Sequence, residues 1–298
     1  MKNKKKTVFC GVGTALVTPF SDGEIDYEAL KVLIEIQISA GVEALIIGGT
    51  TGEAATLTEC ERYTLYERAI KLVRGRCKVI LGTGTNDTGV VINHTKFAES
   101  AGADAALVVT PYYNKGTEEG IFRHYSTVAD STSLPIILYN VPSRTGVNLG
   151  INLLSRLAEH ENIVGIKEAS DSVDRLVELS LFGEALPLYA GNDSQIFPVL
   201  SLGGKGVISV VSNIAARAVR ELTEAFFRGD SKAALTRQQE LLPLIKSLFI
   251  ETNPAPVKFA MASLGLIKEE LRLPLAPVRE STRRSVLSEL ESASHLLG

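Results

Sequence analysis

One lysine of this chain has the surroundings of a nucleophile. Lys167 ends the apolar run Ile-Val-Gly-Ile at 163–166, and such a run is typical of a buried β-strand. An ordinary lysine amine, with a pKa of about 10.4, is only about one part in a thousand neutral at pH 7.4. A water-poor interior lowers such a pKa, and the amine can then attack a carbonyl to form a Schiff base. The alternative is a lysine that extends to solvent, since strand alternation can direct either Ile166 or Lys167 inward.

Hydroxyl groups follow other predicted strands. Tyr113 and Tyr139 lie at the ends of two neighbouring strands, and Thr50 lies at the end of a third. A phenol and an aliphatic hydroxyl in one pocket can pass protons while an imine forms and hydrolyses. Either tyrosine alone is equally consistent with an amphipathic side chain that caps a rim.

A glycine-rich turn, Gly-Gly-Thr-Thr-Gly-Glu at 48–53, follows one of these strands. Backbone N–H groups exposed in such a turn can bind a small carboxylate. The alternative is a tight turn that only requires positive φ angles.

Eight strand-then-helix repeats must position these residues. Short apolar or β-branched runs recur along the chain, each followed by a helical pattern, as expected for a parallel sheet. The predicted strands are 11–18, 44–49, 78–83, 105–111, 136–141, 163–167, 186–190 and 206–211. Glycines at 41, 75, 102 and 183 lie where helix C-caps are expected. The predicted helices with clear starts are 27–40, after Asp26, and 62–74, after the capping box of Thr58 and Glu61.

The eight repeats predict an α/β fold, a (β/α)8 TIM barrel, whose active site lies at the C-terminal ends of the strands. An open dinucleotide-binding sheet is disfavoured because the segment 11–16 lacks the third glycine of the fingerprint. We expect the barrel over 1–230, with a short basic N-terminal tail, and a C-terminal helical extension over 231–298. The last predicted helices are 215–227, which closes the barrel, then 232–249, 256–264 and 281–290.

Composition excludes several classes of protein. With 31 Lys+Arg against 34 Asp+Glu the chain carries no basic field for nucleic acid, and no apolar run reaches the roughly 18–20 residues of a membrane span. The three cysteines are too few and too widely spaced for a disulfide framework or a metal knuckle, which favours a reducing cytoplasm. The four histidines form no metal-ligand motif, and no phosphate-binding loop or nucleophile elbow is present, so we expect no metal and no cofactor.

The N-terminus allows a second interpretation. The basic segment 1–6 followed by the apolar segment 8–17 has the outline of a secretory signal. Because glycines dilute the apolar part and no small-residue cleavage site follows, we expect a short disordered basic tail and then a buried first strand.

The order of these motifs resembles the dihydrodipicolinate synthase family of Schiff-base-forming pyruvate lyases and aldolases. The resemblance covers residue 11 to the C-terminus. The segments that carry it are 48–53, 110–114 (Thr-Pro-Tyr-Tyr-Asn), 139–146 (Tyr-Asn-Val-Pro-Ser-Arg-Thr-Gly), 165–169 (Gly-Ile-Lys-Glu-Ala), 206–209 (Gly-Val-Ile-Ser) and 253–258 (Asn-Pro-Ala-Pro-Val-Lys).

This resemblance implies a cytoplasmic lyase of the diaminopimelate route to lysine. It would condense pyruvate with L-aspartate 4-semialdehyde to give 4-hydroxy-tetrahydrodipicolinate, without a cofactor, as a homotetramer of two tight dimers. The implied catalytic residues are Lys167 as the imine-forming amine and Tyr139, Thr50 and a neighbouring subunit's Tyr113 as the proton relay. The implied substrate-binding residues are Thr51 for the pyruvate carboxylate, Arg144 for the semialdehyde carboxylate, and Gly191 and Ile208 through their backbones.

Three other functions stay open, two within the same superfamily and one outside it. N-acetylneuraminate lyases and 2-keto-3-deoxy sugar acid aldolases share the lysine, the tyrosine and the turn at 48–53. Arg144 favours a short second substrate with its own carboxylate, because a guanidinium clamps that group bidentately. A non-catalytic ligand-sensing barrel is disfavoured because every candidate reactive residue is intact.

The resemblance also suggests a degenerate lysine-effector site. In lysine-inhibited bacterial relatives a tyrosine, an asparagine, a histidine and a glutamate hold the effector at the tight-dimer interface. Tyr112 and Asn86 keep two of these types, whereas Arg62 and Val90 replace the histidine and the glutamate. We therefore expect no feedback inhibition by L-lysine. The alternative is that Glu59 or Glu61 supplies the missing acid.

Overall fold

Eight parallel strands form a closed barrel. The structure is a computed structural model that describes residues 5–298. Each strand pairs with its neighbour in sequence, and β8 pairs with β1 to complete the ring. The strands are β1 (Gly11–Ala15), β2 (Ala44–Ile47), β3 (Lys78–Gly82), β4 (Ala105–Val109), β5 (Ile136–Asn140), β6 (Ile163–Glu168), β7 (Leu188–Ala190) and β8 (Gly206–Ser209).

The strands are buried on both faces, which explains their continuous apolar character. One set of side chains fills the barrel interior, and a larger set packs between the strands and the helices. At the N-terminal end of the barrel, the rings of Phe9 and Tyr189 stack with their centroids 4.6 Å apart. The Tyr189 hydroxyl donates to the Phe9 carbonyl at 2.8 Å. This end of the barrel is therefore closed, and a ligand must enter from the C-terminal ends of the strands.

Helices surround the barrel and continue beyond it. An antiparallel pair of two-residue strands, Phe20–Ser21 and Glu24–Ile25, follows β1. The helices are α1 (Tyr27–Ala40), α2 (Glu59–Val73), α3 (Thr88–Ala101), α4 (Glu118–Asp130), α5 (Pro142–Thr145), α6 (Ile151–Leu157), α7 (Val173–Ser180), α8 (Ile196–Ser201), α9 (Ser212–Phe227), α10 (Ser231–Ser247), α11 (Ala255–Ser263) and α12 (Glu280–Ser292).

The sequence-based TIM barrel is confirmed, and most local signals agree with it. Asp26 caps α1 and Thr58 begins α2 with the expected capping box. Gly41 and Gly102 terminate their helices in the left-handed conformation. Most strands end a residue or more earlier than predicted, because the polar residues after them leave the ladder to form the catalytic-end loops. The exceptions are β7, which ends at Ala190 as predicted, and β6, which extends one residue further, to Glu168.

Two predicted caps and one helix start were wrong. Arg74, rather than Gly75, takes the left-handed C-cap of α2. Gly183 begins a 3-10 turn, Gly183–Ala185, instead of capping α7. Helix α2 starts at Glu59, three residues before the predicted position, because the cap at Thr58 requires the helix to begin directly after it.

The structure describes part of the N-terminal tail and the whole of the C-terminal helical extension. Residues 1–4 of the predicted tail lie outside the described residues. The expectation of disorder was wrong for Lys5, whose Nζ donates to the His160 carbonyl at 2.6 Å. Asp230 caps α10 directly after the turn that ends α9. Independence of 231–298 as a domain stays a prediction. Within residues 5–298, no helix has the length and apolar character needed to cross a membrane.

His124 on α4 makes the stability of the fold depend on pH. Its Nδ1 lies 2.9 Å from the Thr88 hydroxyl, and its Nε2 is buried without a partner. Burial lowers the pKa of His124 to about 4, with Asp87 opposing the shift. Below its ordinary pKa of about 6.5 the unfolded chain binds a proton that folded His124 excludes. This contribution to stability is therefore complete above pH 6.5 and is lost as the pH falls towards 4.

We predict that His124 lowers the free energy of unfolding by about 3 kcal/mol between pH 7 and pH 4. Urea denaturation of the wild-type chain and of His124→Gln at both pH values measures this term, because the variant lacks it. His295→Gln, at an exposed position, is the matched control and retains the wild-type dependence. A His124→Gln variant with the same pH dependence as wild type would contradict this account.

Candidate active site

Lys167 points into the mouth of the barrel. Its neighbour Ile166 packs in the outer core, so alternation directs the Lys167 side chain inward. Across the β5–β6 ladder, Lys167 is the direct partner of Tyr139. The Lys167 Nζ lies 4.3 Å from the centre of the Tyr139 ring, and the lysine is only 5% exposed. An amine on an aromatic face in a nearly dry site is placed to react with a small carbonyl compound that enters the barrel.

A buried carboxylate fixes the strand ends that carry these two residues. The Asn140 amide donates to both oxygens of Glu168, at 2.9 and 3.0 Å. Arg175 of α7 lies 3.4 Å from the same carboxylate, and the Ser170 amide donates to it at 2.9 Å. This network crosses from β5 to β6, so it limits movement of Tyr139 relative to Lys167.

The turn after β2 places Thr50 and Thr51 at the same end of the barrel. Gly48 has φ of +65°, and a Cβ there would lie 2.8 Å from the Tyr66 ring, so the turn requires glycine. The amides of Gly52 and Glu53 donate to carbonyls within the turn. Those two N–H groups are therefore already used, and carboxylate binding by other exposed N–H groups of the turn stays a prediction.

A cavity of about 320 Å³ opens beside Thr50 and Tyr139. Arg144 lines its rim from the one-turn helix α5, and its Nη2 donates to the Asn253 carbonyl at 3.0 Å. The Asn253 amide donates in turn to the Thr51 hydroxyl at 3.0 Å. Asn253 thus joins the Thr51 turn to Arg144 from the C-terminal extension.

Gly191 and Ile208 complete the far side of the barrel end. Ile208 is fully buried with the interior side chains. The Gly191 amide donates to the Glu168 carbonyl at 2.7 Å. The next loop is held by Asp193, which accepts from the Val210 and Val211 amides at 3.0 and 2.9 Å. Burial raises the pKa of Asp193, and these hydrogen bonds together with the charge of Lys167 oppose the shift.

Tyr113 is not part of this cluster within the single chain. It is 89% exposed and has φ of +70°, an uncommon conformation for a tyrosine.

Two residues of the suggested effector site lie at the cavity. The side chains of Tyr112 and Arg62 line the same cavity as Thr50. Asn86 lies just before α3 and is half-buried. Val90 lies in the first turn of α3 and is exposed.

Sequence reasoning gave no role to two residues that the structure places around this site. Asn253 bridges Thr51 and Arg144, and Lys258 forms an ion pair with Glu53. The signal for Lys258 was a single cation within the apolar segment 254–262, where only a paired charge is tolerated. Asn253 gave no comparable signal, since Asn before Pro is common in turns.

Among residues 5–298, no group of three or more His, Cys, Asp or Glu side chains lies close enough to hold a metal ion. His94 and His124 lie on separate helices, α3 and α4. The polar groups that the structure brings to the catalytic end include an amine, hydroxyl groups and a guanidinium.

Comparison with known proteins agrees with this geometry. The sequence profile of the Dihydrodipicolinate synthetase family matches residues 8–293. The chain belongs to this family. A family member from Thermodesulfovibrio yellowstonii, named 4-hydroxy-tetrahydrodipicolinate synthase, is 48% identical over 287 residues, covering 96% of this chain and 99% of the relative. One of the same name from Alkaliphilus oremlandii is 45% identical over 285 residues, covering 95% and 98%.

Solved structures of family members share the fold. The crystal structure of dihydrodipicolinate synthase from Thermotoga maritima superposes with a TM-score of 0.95 at 45% identity, covering 97% of this chain and 99% of that one. The barrel and its C-terminal helices are therefore those of the dihydrodipicolinate synthetase family.

The position of Tyr139 predicts a role in proton transfer. Tyr139→Phe removes only the hydroxyl, so the turnover number should fall by about 10²–10⁴ while the thermal unfolding midpoint stays near wild type. Steady-state kinetics and circular dichroism measure both. Tyr63→Phe removes a hydroxyl from a ring that stacks on Phe97 outside the cavity, and it should retain wild-type turnover. Unchanged turnover in Tyr139→Phe would show that Tyr139 only covers the rim of the barrel and transfers no proton.

Proposed function

We propose that this chain is a 4-hydroxy-tetrahydrodipicolinate synthase, a lyase that condenses pyruvate with L-aspartate 4-semialdehyde. The single observation that carries the proposal is the buried amine of Lys167 against the face of Tyr139 at the catalytic end of a barrel of this family. The relatives of that name cover nearly the whole chain, which supports the same activity here.

The reaction begins at Lys167. Its free amine adds to the C2 carbonyl of pyruvate, and loss of water gives an imine. Removal of a C3 proton converts the imine to an enamine, whose carbon adds to the aldehyde carbon of the second substrate. The amino group of the bound product then attacks the imine carbon, closing the ring and releasing Lys167. Tyr139 and Thr50, which line one cavity, are proposed to move the protons in these steps.

The two carboxylates of the substrates need separate partners. Thr51 is proposed to hold the pyruvate carboxylate, while the backbones of Gly191 and Ile208 line the pocket. Arg144, exposed at the cavity rim, is proposed to bind the carboxylate of the semialdehyde. The part of a sugar acid that would meet Arg144 carries mainly hydroxyl groups, whereas the semialdehyde presents a carboxylate there. A guanidinium at this position therefore favours the semialdehyde.

Borohydride reduction in the presence of pyruvate tests the first step. We expect loss of activity that depends on pyruvate, and peptide mass analysis should place the reduced adduct on Lys167. Lys205→Gln, at the opposite end of the barrel, should still form the adduct, whereas Lys167→Met should not. An adduct on Lys205 or Lys258 would contradict the assignment, and no adduct at all would favour a ligand-sensing barrel.

A coupled assay identifies the substrate. Pyruvate with L-aspartate 4-semialdehyde should give far higher kcat/KM than cleavage of N-acetylneuraminate or 2-keto-3-deoxygluconate. A preference for either sugar acid would replace the proposed function with the corresponding aldolase activity.

Assembly is proposed to complete the site. Tyr113 projects to solvent from the single chain, and we propose that it enters the site of a second copy in a tight dimer. Val173 and Val177 of α7 and its C-cap residue Leu181 form an exposed apolar stripe at four-residue spacing, which supports further pairing of dimers into a homotetramer. The three cysteines are free, which supports a reducing, cytoplasmic location.

Mixing two inactive variants tests the shared site. Tyr113→Phe retains Lys167, and Lys167→Ala retains Tyr113, so a hybrid dimer contains one complete site. An equal mixture should recover up to about a quarter of wild-type activity, because half of the dimers are hybrids with one working site of two. No recovery after mass spectrometry has confirmed subunit exchange would contradict the proposal.

Feedback by L-lysine is proposed to be absent. The buried Arg62 guanidinium donates to the Ala54 carbonyl at 2.5 Å. Its positive charge occupies the position that the resemblance gives to the histidine of the effector site, and it would repel the effector's ammonium. Val90 offers that ammonium no carboxylate. Glu61 already has partners. Its contact with Arg272 holds its pKa at about 2, and its carboxylate also accepts from the Thr58 amide. A buried ammonium without a partner costs several kcal/mol, whereas the remaining hydrogen bonds return about 1 kcal/mol each.

Titration with millimolar L-lysine at subsaturating pyruvate measures this directly. We expect an unchanged rate, and we expect Arg62→His combined with Val90→Glu to introduce some inhibition. Clear partial inhibition of the wild-type chain would show that the effector site does not require the missing glutamate.

A further inference from the structure

A fully buried ion pair connects the C-terminal extension to the turn that carries Thr50 and Thr51. Lys258 lies on α11, and its Nζ is 2.5 Å from Glu53 Oε1. Both side chains are 0% exposed. The Lys258 Nζ also lies 4.3 Å from the centre of the Phe20 ring. Burial lowers the pKa of Lys258, and the charge and hydrogen bond of Glu53 oppose that shift.

Glu53 uses all of its polar groups to hold the turn. Its second carboxylate oxygen accepts from the Arg272 amide at 3.0 Å, so both oxygens are bound by the C-terminal extension. Its own amide donates to the Thr50 carbonyl at 3.1 Å, and its carbonyl accepts from the Thr56 amide at 3.0 Å. Glu53 also has φ of +53°, which is unfavourable for its type. A strained residue persists only where surrounding contacts determine its conformation, and here those contacts come from the extension.

The same extension reaches the substrate-binding residues a second time. Asn253, at the start of the segment that leads into α11, donates to the Thr51 hydroxyl. Its carbonyl accepts from Arg144. The turn is thus held on its Glu53 side by Lys258 and on its Thr51 side by Asn253.

Stability alone does not explain a charge pair in this position. A buried ion pair is often no more stabilising than apolar side chains of similar volume, because both charges lose their hydration. What the pair adds here is a fixed position for the carboxylate, because Lys258 binds one of its oxygens and the Arg272 amide binds the other.

We propose that Glu53 and Lys258 are positioning residues of the catalytic site, and that the pair orients the Thr50–Thr51 turn from the C-terminal extension. Neither residue touches the reacting atoms. Their removal moves the hydroxyl groups that bind pyruvate and transfer protons, so the extension is a working part of the active site.

This inference rests on the proposed roles of Thr50 and Thr51, and the experiment separates the two. Five variants are compared by thermal unfolding, by kcat and by KM for pyruvate: Thr51→Val, Lys258→Met, the double variant Glu53→Gln with Lys258→Met, Glu53→Asp, and Arg283→Met. Arg283 is the matched control, because its ion pair with Glu269 lies wholly within the extension.

We expect Lys258→Met to lower stability and activity together, since it leaves the Glu53 carboxylate buried without its partner. The double variant removes both charges and should regain most of the lost thermal stability. Its kcat/KM for pyruvate should nevertheless stay at least tenfold below wild type. Glu53→Asp keeps both charges and withdraws the carboxylate by one methylene, and it should fold and lose at least fivefold in kcat/KM. Arg283→Met should retain wild-type kinetics.

Recovery of both stability and kcat/KM in the double variant would overturn the proposal, because the pair would then serve only the fold. If the double variant does not fold, wild-type kinetics in Glu53→Asp overturn it equally. Wild-type kinetics in Thr51→Val would instead contradict the proposed role of the turn, independently of what Lys258 does.

Discussion

The reactive geometry depends on one irregularity in the barrel. The β5–β6 ladder shifts register by one residue, so that Ile136 pairs with Ile163 while Ile137 pairs with Gly165. Val164 is the extra residue, and a bulge of this kind reverses the alternation of every side chain after it. Without it, Ile166 would point into the barrel and Lys167 would point out. The direction of the amine is therefore fixed by backbone pairing, and the close contact with Tyr139 follows from that register.

Buried carboxylates then hold the loops that surround the amine. Glu168 is the last residue of β6, whereas Glu53 and Asp193 follow the ends of β2 and β7, and each of the three is fully or almost fully buried. Glu53 binds the C-terminal extension, Glu168 binds Asn140 of the neighbouring strand, and Asp193 binds the backbone after β8. Each carboxylate joins its own loop to another element. This arrangement leaves the catalytic end rigid, as required for proton transfer between groups whose positions must hold within a fraction of an ångström.

The sequence predicts the barrel because its signals are local. Buried parallel strands are continuous apolar runs, and caps such as Asp26 and Thr58 mark helix starts within a few residues. Lys167, Tyr139 and Thr50 were identified because strand ends meet at one end of a barrel. The direction of Lys167 could not be predicted, since a bulge depends on pairing between strands. Asn253 and Lys258 could not be assigned either, because their partners lie about 200 residues earlier in the chain. Tyr113 is 89% exposed in the single chain, and its proposed role in the site of a second copy depends on contacts between chains, which local sequence signals do not specify.

A crystal structure of the chain with bound pyruvate tests this account most directly. The account predicts continuous electron density from Lys167 Nζ to C2 of pyruvate inside the barrel. The Tyr139 hydroxyl and the Thr51 side chain should lie within hydrogen-bond distance of the adduct, and Val164 should be the bulged residue. Pyruvate bound elsewhere without a covalent bond, or Ile166 in the barrel mouth with Lys167 turned outward, would contradict it.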